Sequence, residues 1–319
     1  MARRPLTLFA CSIVALGLCG AAGVHAADMA PATPEIFAPG AISGPAGVDC
    51  LTFAPDGATV YFDQQAGWNG FIMESHRVGD GWSTPQIAPF SGKWQDHDPA
   101  MAPDGSFLVY TSNRAAVSGG PALHGGQLWR VDRRGNGWGE PQRLPDAVNV
   151  GSSVYAPSVA VNGDVYYQRR DDATHEFRLY RTAWRDGHYQ PPQRLALGDP
   201  AAHELDPAIA PDQSFIVFDA NYAGKDKPDR LYLAFREGDG WSAPIDLGDA
   251  VNRYEPWGSH LSPDGRTLYF TSNYTAKVGY PRSPAQARAD LARMRAWDNG
   301  NNHIWRLSLA PWLAAHRSR

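Results

Sequence analysis

The chain has 319 residues, 43% hydrophobic and 19% charged, which excludes a disordered protein and leaves room for one large repeat domain or two ordinary ones. Its 29 basic and 33 acidic residues give a net charge of −4, which excludes the basic footprint of a chain whose main partner is nucleic acid. With 32 Gly, 26 Pro, 11 Trp, 13 Tyr and 12 Phe, the composition points to aromatic strands joined by tight turns, an all-β fold.

The first segment reads as a leader. Arg3 and Arg4, an apolar run from Leu6 to Gly23 and the small residue Ala26 have the layout of a signal peptide over 1–26, cut before Ala27. The apolar run is short for a membrane anchor and no second one follows, so no transmembrane segment is expected after cleavage. The expected address is the periplasm or the outside of the cell. Cleavage removes two Arg and no acids, leaving 27 basic against 33 acidic residues, a net −6. It also removes Cys11 and Cys19, so Cys50 stays as a lone cysteine and no disulfide framework can form within the chain.

Five turns then recur: Ala54-Pro55-Asp56-Gly57, Ala102-Pro103-Asp104-Gly105, Val161-Asn162-Gly163, Ala210-Pro211-Asp212-Gln213 and Ser262-Pro263-Asp264-Gly265. The Asp or Asn residues are 48, 58, 50 and 52 positions apart, the period of a propeller or solenoid. Pro presets φ, Asp bonds its own backbone and Gly accepts a positive φ. An aromatic strand follows each turn, then a variable loop, a third strand such as Gln127-Leu128-Trp129, and a Gly-Trp or equivalent turn leading to a fourth. The repeated aromatics are expected to pack between sheets. Four antiparallel strands per repeat predict a β-propeller of five four-stranded blades, with six as the alternative.

The fifth repeat runs out after Leu307. Its missing fourth strand is found at the other end of the chain, where Thr33-Pro34-Glu35-Ile36-Phe37-Ala38-Pro39 is similar to Thr84-Pro85-Gln86-Ile87-Ala88-Pro89. The N-terminal strand is therefore expected to close the ring, giving one propeller over 27–313 and a tail over 314–319. Ser283-Pro284-Ala285-Gln286 predicts a helix start inside the fifth repeat.

The motif Pro99-x-x-x-Pro103-Asp104-Gly105, followed by Leu108, Tyr110, Ser112 and Asn113 and completed by Leu128-Trp129, resembles the TolB-like (WD-like) β-propeller repeat family. The last repeat matches through Ser262 to Gly265, Leu268 to Phe270, Ser272-Asn273 and Ile304-Trp305. The resemblance covers about residues 33 to 310 and departs at the third turn and in blade number, since TolB itself has six. It implies a propeller and secretion, and no single activity.

Strand direction places the long, diverse loops on one face and the short Pro-Asp-Gly turns on the other. Diverse loops on a rigid scaffold are where binding usually sits. The candidate rim comprises Trp94, Asp96, His97, Asp98, Asn113, Arg114, Tyr155, Arg170, His203, Glu204, Asp206, Asn221, Tyr254, Glu255, Trp257 and Asn273, with Asp49, Gln65 and His260 nearby. His97, Asp98, His203 and Glu204 are of the types that hold a divalent metal. Asp98 and Asp206 are a candidate acid and base, as in glycosidases. Against both stands the structural role of a repeat-position acid, which bonds neighbouring backbone. Cys50 is expected to be a small buried residue. The sequence supports a non-catalytic propeller that binds an envelope protein or glycan on the long-loop face. A carbohydrate-active hydrolase or lyase with a carboxylate and histidine site at the channel mouth is the alternative, and a pure scaffold the third. No catalytic residue and no required cofactor is assigned.

Overall fold

A computed structural model describes residues 33–66, 69–151, 153–171, 173–224, 226–275, 278–295 and 300–317. The expected signal peptide lies outside them. Five small antiparallel sheets form the blades of a propeller. The inner strands are Gly47–Phe53, Asp96–Met101, Val154–Val159, Glu204–Ile209 and Trp257–Leu261. Each is followed by a fully or largely buried second strand, as in Phe107–Ser112 and Phe215–Ala220.

The turn chemistry is uniform. In all five turns the Asx side chain accepts the N–H two residues on: Asp56 from Ala58 (2.8 Å), Asp104 from Ser106 (2.9 Å), Asn162 from Asp164 (3.1 Å), Asp212 from Ser214 (3.0 Å) and Asp264 from Arg266 (3.0 Å). The fourth turn puts Gln213 at φ 61, a conformation glycine adopts more cheaply. Its side chain offsets this by accepting the Tyr166 hydroxyl of the preceding blade at 2.7 Å.

The core is divided into five apolar clusters, one between each pair of neighbouring blades. The aromatic of each Gly-Trp-type turn packs on the cluster shared with the preceding blade: Trp82 between blades five and one, Trp138 between one and two, Tyr189 between two and three, Trp241 between three and four. Blade five has no such turn. A C-terminal helix (Ala310–Arg317) supplies the equivalent, with Trp312 and Leu313 on the cluster between blades four and five and His316 stacked on Phe235 at 3.6 Å. This helix spans the boundary at 313 where a tail was expected to begin.

The fourth strands are shorter than expected. In blade one, Gly81–Trp82 pairs with the C-terminal end of Asn69–Val78 and Gln86–Ile87 with its middle, at Met73 and Glu74, with a break at Ser83 to Pro85 between them. The prolines that recur in these segments cannot donate to the ladder. The ring closes through the N-terminal strand: Glu35 lies opposite Arg306 and Ile36 opposite Trp305. The helix Pro284–Met294 starts at the expected place with a full Ser283–Gln286 capping box, and it buries no side chain.

Candidate functional site: the inner-strand bulges and the long-loop rim

Every inner strand carries a bulge at the same position. The register breaks between Asp49 and Leu51, His97 and Ala100, Tyr155 and Ser158, Leu205 and Ala208, and Trp257 and His260. The residue in the bulge has a positive φ in each: Cys50 (31), Asp98 (51), Ala156 (49), Asp206 (46) and Gly258 (63). A bulge of this kind re-aims a backbone N–H. Here each freed N–H meets a side chain of the preceding blade. Asp98 N donates to Asp63 Oδ2 (2.8 Å), Ala156 N to Asp98 Oδ2 (3.0 Å), Asp206 N to Gln168 Oε1 (2.7 Å), Gly258 N to Asp206 Oδ2 (2.9 Å) and Cys50 N to Thr271 Oγ1 (3.3 Å). The result is a closed belt of blade-to-blade bonds around the channel.

The belt concentrates acids. Asp63 and Asp219 are wholly buried, and Asp49, Asp98 and Asp206 are half-buried. Burial, and then the charge of Asp98, push the Asp63 carboxyl well above the usual range. Burial and the neighbouring Asp206 do the same to Asp219. Burial, then the Asp98 charge, push Asp206 up to about 7. Asp49 is raised by burial, against bonds from the Thr271 hydroxyl and from Trp257 Nε1 (3.2 Å). Burial pushes the Cys50 thiol well up, with Asp49 adding to it. His260 is pulled down to about 4 by burial, so it is neutral at pH 7. Of these channel acids, Asp63 Oδ1 and Asp219 Oδ2 are buried with no partner. Toward the turn face the channel narrows to a cavity of about 60 Å³ lined by His260 and four turn prolines, Pro55, Pro103, Pro211 and Pro263.

The structure brings some expected site residues together and separates others. Asp98 and Asp206 both sit on the belt, and Trp257 reaches it through Asp49. The proposed metal quartet is not assembled. His203 is held by Asp229 (2.6 Å) and Glu176 (3.4 Å), and the bond to Asp229 raises its pKa. Glu204 is buried and accepts the Tyr222 hydroxyl at 2.8 Å. Asp96 is wholly buried and bonded to Ser91 and Ser112 at 2.8 and 2.7 Å. Buried Asn221 accepts the His203 N–H, and Arg114 bonds Phe90 and Tyr110. Glu204, Asp96, Asn221 and Arg114 are thus tied into local hydrogen bonds of the framework, with Glu204 Oε2 and Arg114 Nε left buried without a partner. Arg170 lies outside the belt, exposed, bonding His175 O at 3.4 Å, and Trp94 is half-buried.

Two open cavities remain on the rim. One, about 430 Å³, lies between blades two and three and is lined by Gln95, His97, Thr111, Asn113, Leu123, His124, Gly125, Gly126 and Tyr155. Asn113 and Gln95 hold each other (2.9 and 3.2 Å), and Gly126 N donates to the Tyr155 hydroxyl at 3.1 Å. No Asp, Glu, Lys or Arg lines it. The other, about 820 Å³, lies between blades four and five and is charged, with Asp229, Arg230, Arg253 and Glu255 beside Tyr254 and Asn273. Of Asp98, His203 and Glu255, only Glu255 lines this cavity.

No protein-family model and no curated protein matches the chain. Solved propellers do. A thermostable family-43 glycoside hydrolase covers 84% of this chain and 91% of its own at 12% identity, with a TM-score of 0.53. A protein assigned as TolB from Agrobacterium tumefaciens covers 73% and 72% at 19% identity and a TM-score of 0.49. TolB from Acinetobacter baumannii gives 18% identity and 0.42, and this chain spans 43% of its length. The chain shares the propeller fold of the glycoside hydrolase. At these identities the likeness concerns fold alone.

Asp63, Asp219 and Cys50 escaped the sequence reading as channel groups. A signal existed. The residue after the last aromatic of each second strand (Phe62, Tyr110, Tyr167, Phe218 and Phe270) is polar in every repeat: Asp63, Thr111, Gln168, Asp219 and Thr271. A polar residue that follows a buried aromatic run in every repeat must face a partner.

Proposed function

We propose that this protein is a periplasmic or secreted, non-catalytic propeller that binds a glycan on its long-loop rim, in the cavity walled by His97, Asn113 and Tyr155. The observation that carries this reading is that no Asp, Glu, Lys or Arg lines that cavity. Amide and hydroxyl groups suit sugar hydroxyls, and the rings of Tyr155, His97 and His124 suit the apolar faces of a pyranose. A lining without Lys or Arg disfavours phosphate and nucleic acid as ligands. No helix of the described residues is long and apolar enough to cross a membrane.

A dye-labelled sample of the chain on a glycan array tests the reading. Binding to at least one glycan is expected, with a tenfold or greater loss for Tyr155→Ala, about 1.4 kcal/mol or more, and no loss for Glu255→Ala across the ring. An array with no signal, or a Tyr155→Ala protein that binds as well as the parent, ends the glycan reading. Capture of a defined envelope protein by the parent and not by Tyr155→Ala would move the assignment to a protein partner.

The second reading, a glycan hydrolase, is favoured by one observation: burial and the charge of Asp98 push Asp206 up to about 7, as for a carboxyl kept protonated to serve as a general acid. The belt opposes it. One oxygen of each carboxylate holds the N–H of the next blade, at 3.0 and 2.9 Å, so these groups already have a structural task.

A further inference from the structure

The channel side of blades one and two contains a ligand set that the rim reading does not use. One ligand atom from each of Cys50, Asp63 and Asp98 lies within 4.8 Å of the other two. An ion at the centre of such a triangle is at most about 2.8 Å from each corner, so a contraction of several tenths of an ångström reaches the ~2.0–2.3 Å of zinc bonds to carboxylate and thiolate. An acidic cluster alone would not mark a site. Here Asp63 is wholly buried and its Oδ1 has no partner. The two carboxylates are also oriented from behind. Asp63 Oδ2 is fixed by the Asp98 N–H (2.8 Å), and Asp98 Oδ2 by the Thr111 hydroxyl (2.9 Å) and the Ala156 N–H (3.0 Å). Metal ligands are held in this way by outer-shell partners.

We propose that the channel holds one divalent metal ion, Zn²⁺ in preference to Ca²⁺, bound by the Cys50 thiolate and the carboxylates of Asp63 and Asp98. The sulfur sets the preference. Calcium takes six to eight oxygens, whereas zinc accepts mixed sulfur and oxygen ligands and four positions, of which this triad fills three. The ion would neutralise repulsion among the belt acids, and the thiol proton leaves to solvent on binding. The site ties blade one to blade two, so its role is to lock the ring, separately from whatever the rim binds.

The test uses the full chain, stripped with chelator and dialysed against ZnCl₂ or CaCl₂. Elemental analysis should find close to one Zn²⁺ per chain and less than a tenth as much Ca²⁺. The melting temperature should rise by about 5 °C at a hundredfold excess over Kd. Cobalt in place of zinc should give a thiolate-to-metal absorption band in the near ultraviolet. Cys50→Ala should abolish the band and the zinc stoichiometry. Asp63→Asn should do the same, and because Asp63 also holds Asp98, Cys50→Ala is the cleaner variant if Asp63→Asn folds poorly. Less than a tenth of an equivalent of any ion, or zinc binding undiminished in Cys50→Ala, overturns the proposal.

Discussion

Phe37→Ala is expected to lower stability by about 3–5 kcal/mol, and removal of residues 33–40 to abolish the folded ring. Phe37 is 5% exposed and meets Phe53, Trp82 and Tyr269 edge-on at centroid distances of 5.8, 5.8 and 5.3 Å. It therefore joins the last blade to the first. Its N–H also donates to Ile304 O at 2.8 Å, extending the Glu35–Ile36 pairing. Truncation leaves a cavity among three rings where collapse is resisted from both blades. For a chain of this size the loss corresponds to a drop of roughly 6–10 °C in melting temperature. Glu35→Ala is the control. Its ion pair with Arg306 (2.7 Å) is half in solvent, so less than about 1 kcal/mol is at stake. Equal melting of Phe37→Ala and the parent would refute closure by the N-terminal strand.

The second large effect concerns pH and two opposed groups on the channel. Asp206 is pushed up from 3.8 to about 7, so the stability linked to it is fully present below 3.8 and is lost as pH rises through about 7. The shift corresponds to about 4 kcal/mol. His260 is pulled down from 6.5 to about 4, so its contribution is present above 6.5 and is lost as pH falls through about 4, about 3 kcal/mol in the other direction. Between pH 4 and 6.5 the two oppose each other, while the raised Asp63 and Asp219 add to the Asp206 side. In chelator, His260→Asn should melt several degrees higher at pH 5 than at pH 7. Asp206→Asn should shift the balance the opposite way, with its Oδ1 still able to accept the Gly258 N–H. Calorimetry at the two pH values decides. Both variants tracking the parent would show that neither group titrates as its surroundings dictate.

The fold was legible because it repeats. Pro-Asp-Gly turns, aromatic strands and the Thr33-to-Pro39 match are local signals, each with a local cause, and the blades, closure and capping box followed from them. What did not follow arises from contacts between repeats. The bulge at Cys50, Asp98, Ala156, Asp206 and Gly258 has no shared residue type, since the backbone supplies the belt donors and the preceding blade supplies the acceptors. His97 and His203 read alike in sequence, yet one lines an open cavity and the other is consumed by Asp229 and Glu176. That difference lies in loops whose spatial neighbours no period predicts. The C-terminal helix Ala310–Arg317 was missed because its task, filling the place of an absent Trp turn, is visible only once the five clusters are counted.

One paired measurement bears most directly on the assignment of recognition to the rim and bracing to the channel. A glycan bound on the array is titrated into the parent, Tyr155→Ala and Asp98→Asn proteins, and reducing ends are assayed in the same samples. Binding should fall at least tenfold in Tyr155→Ala and persist in Asp98→Asn, with no reducing ends released by any of the three. Release of reducing ends by the parent, lost in Asp98→Asn, would make the channel an active site and contradict this account.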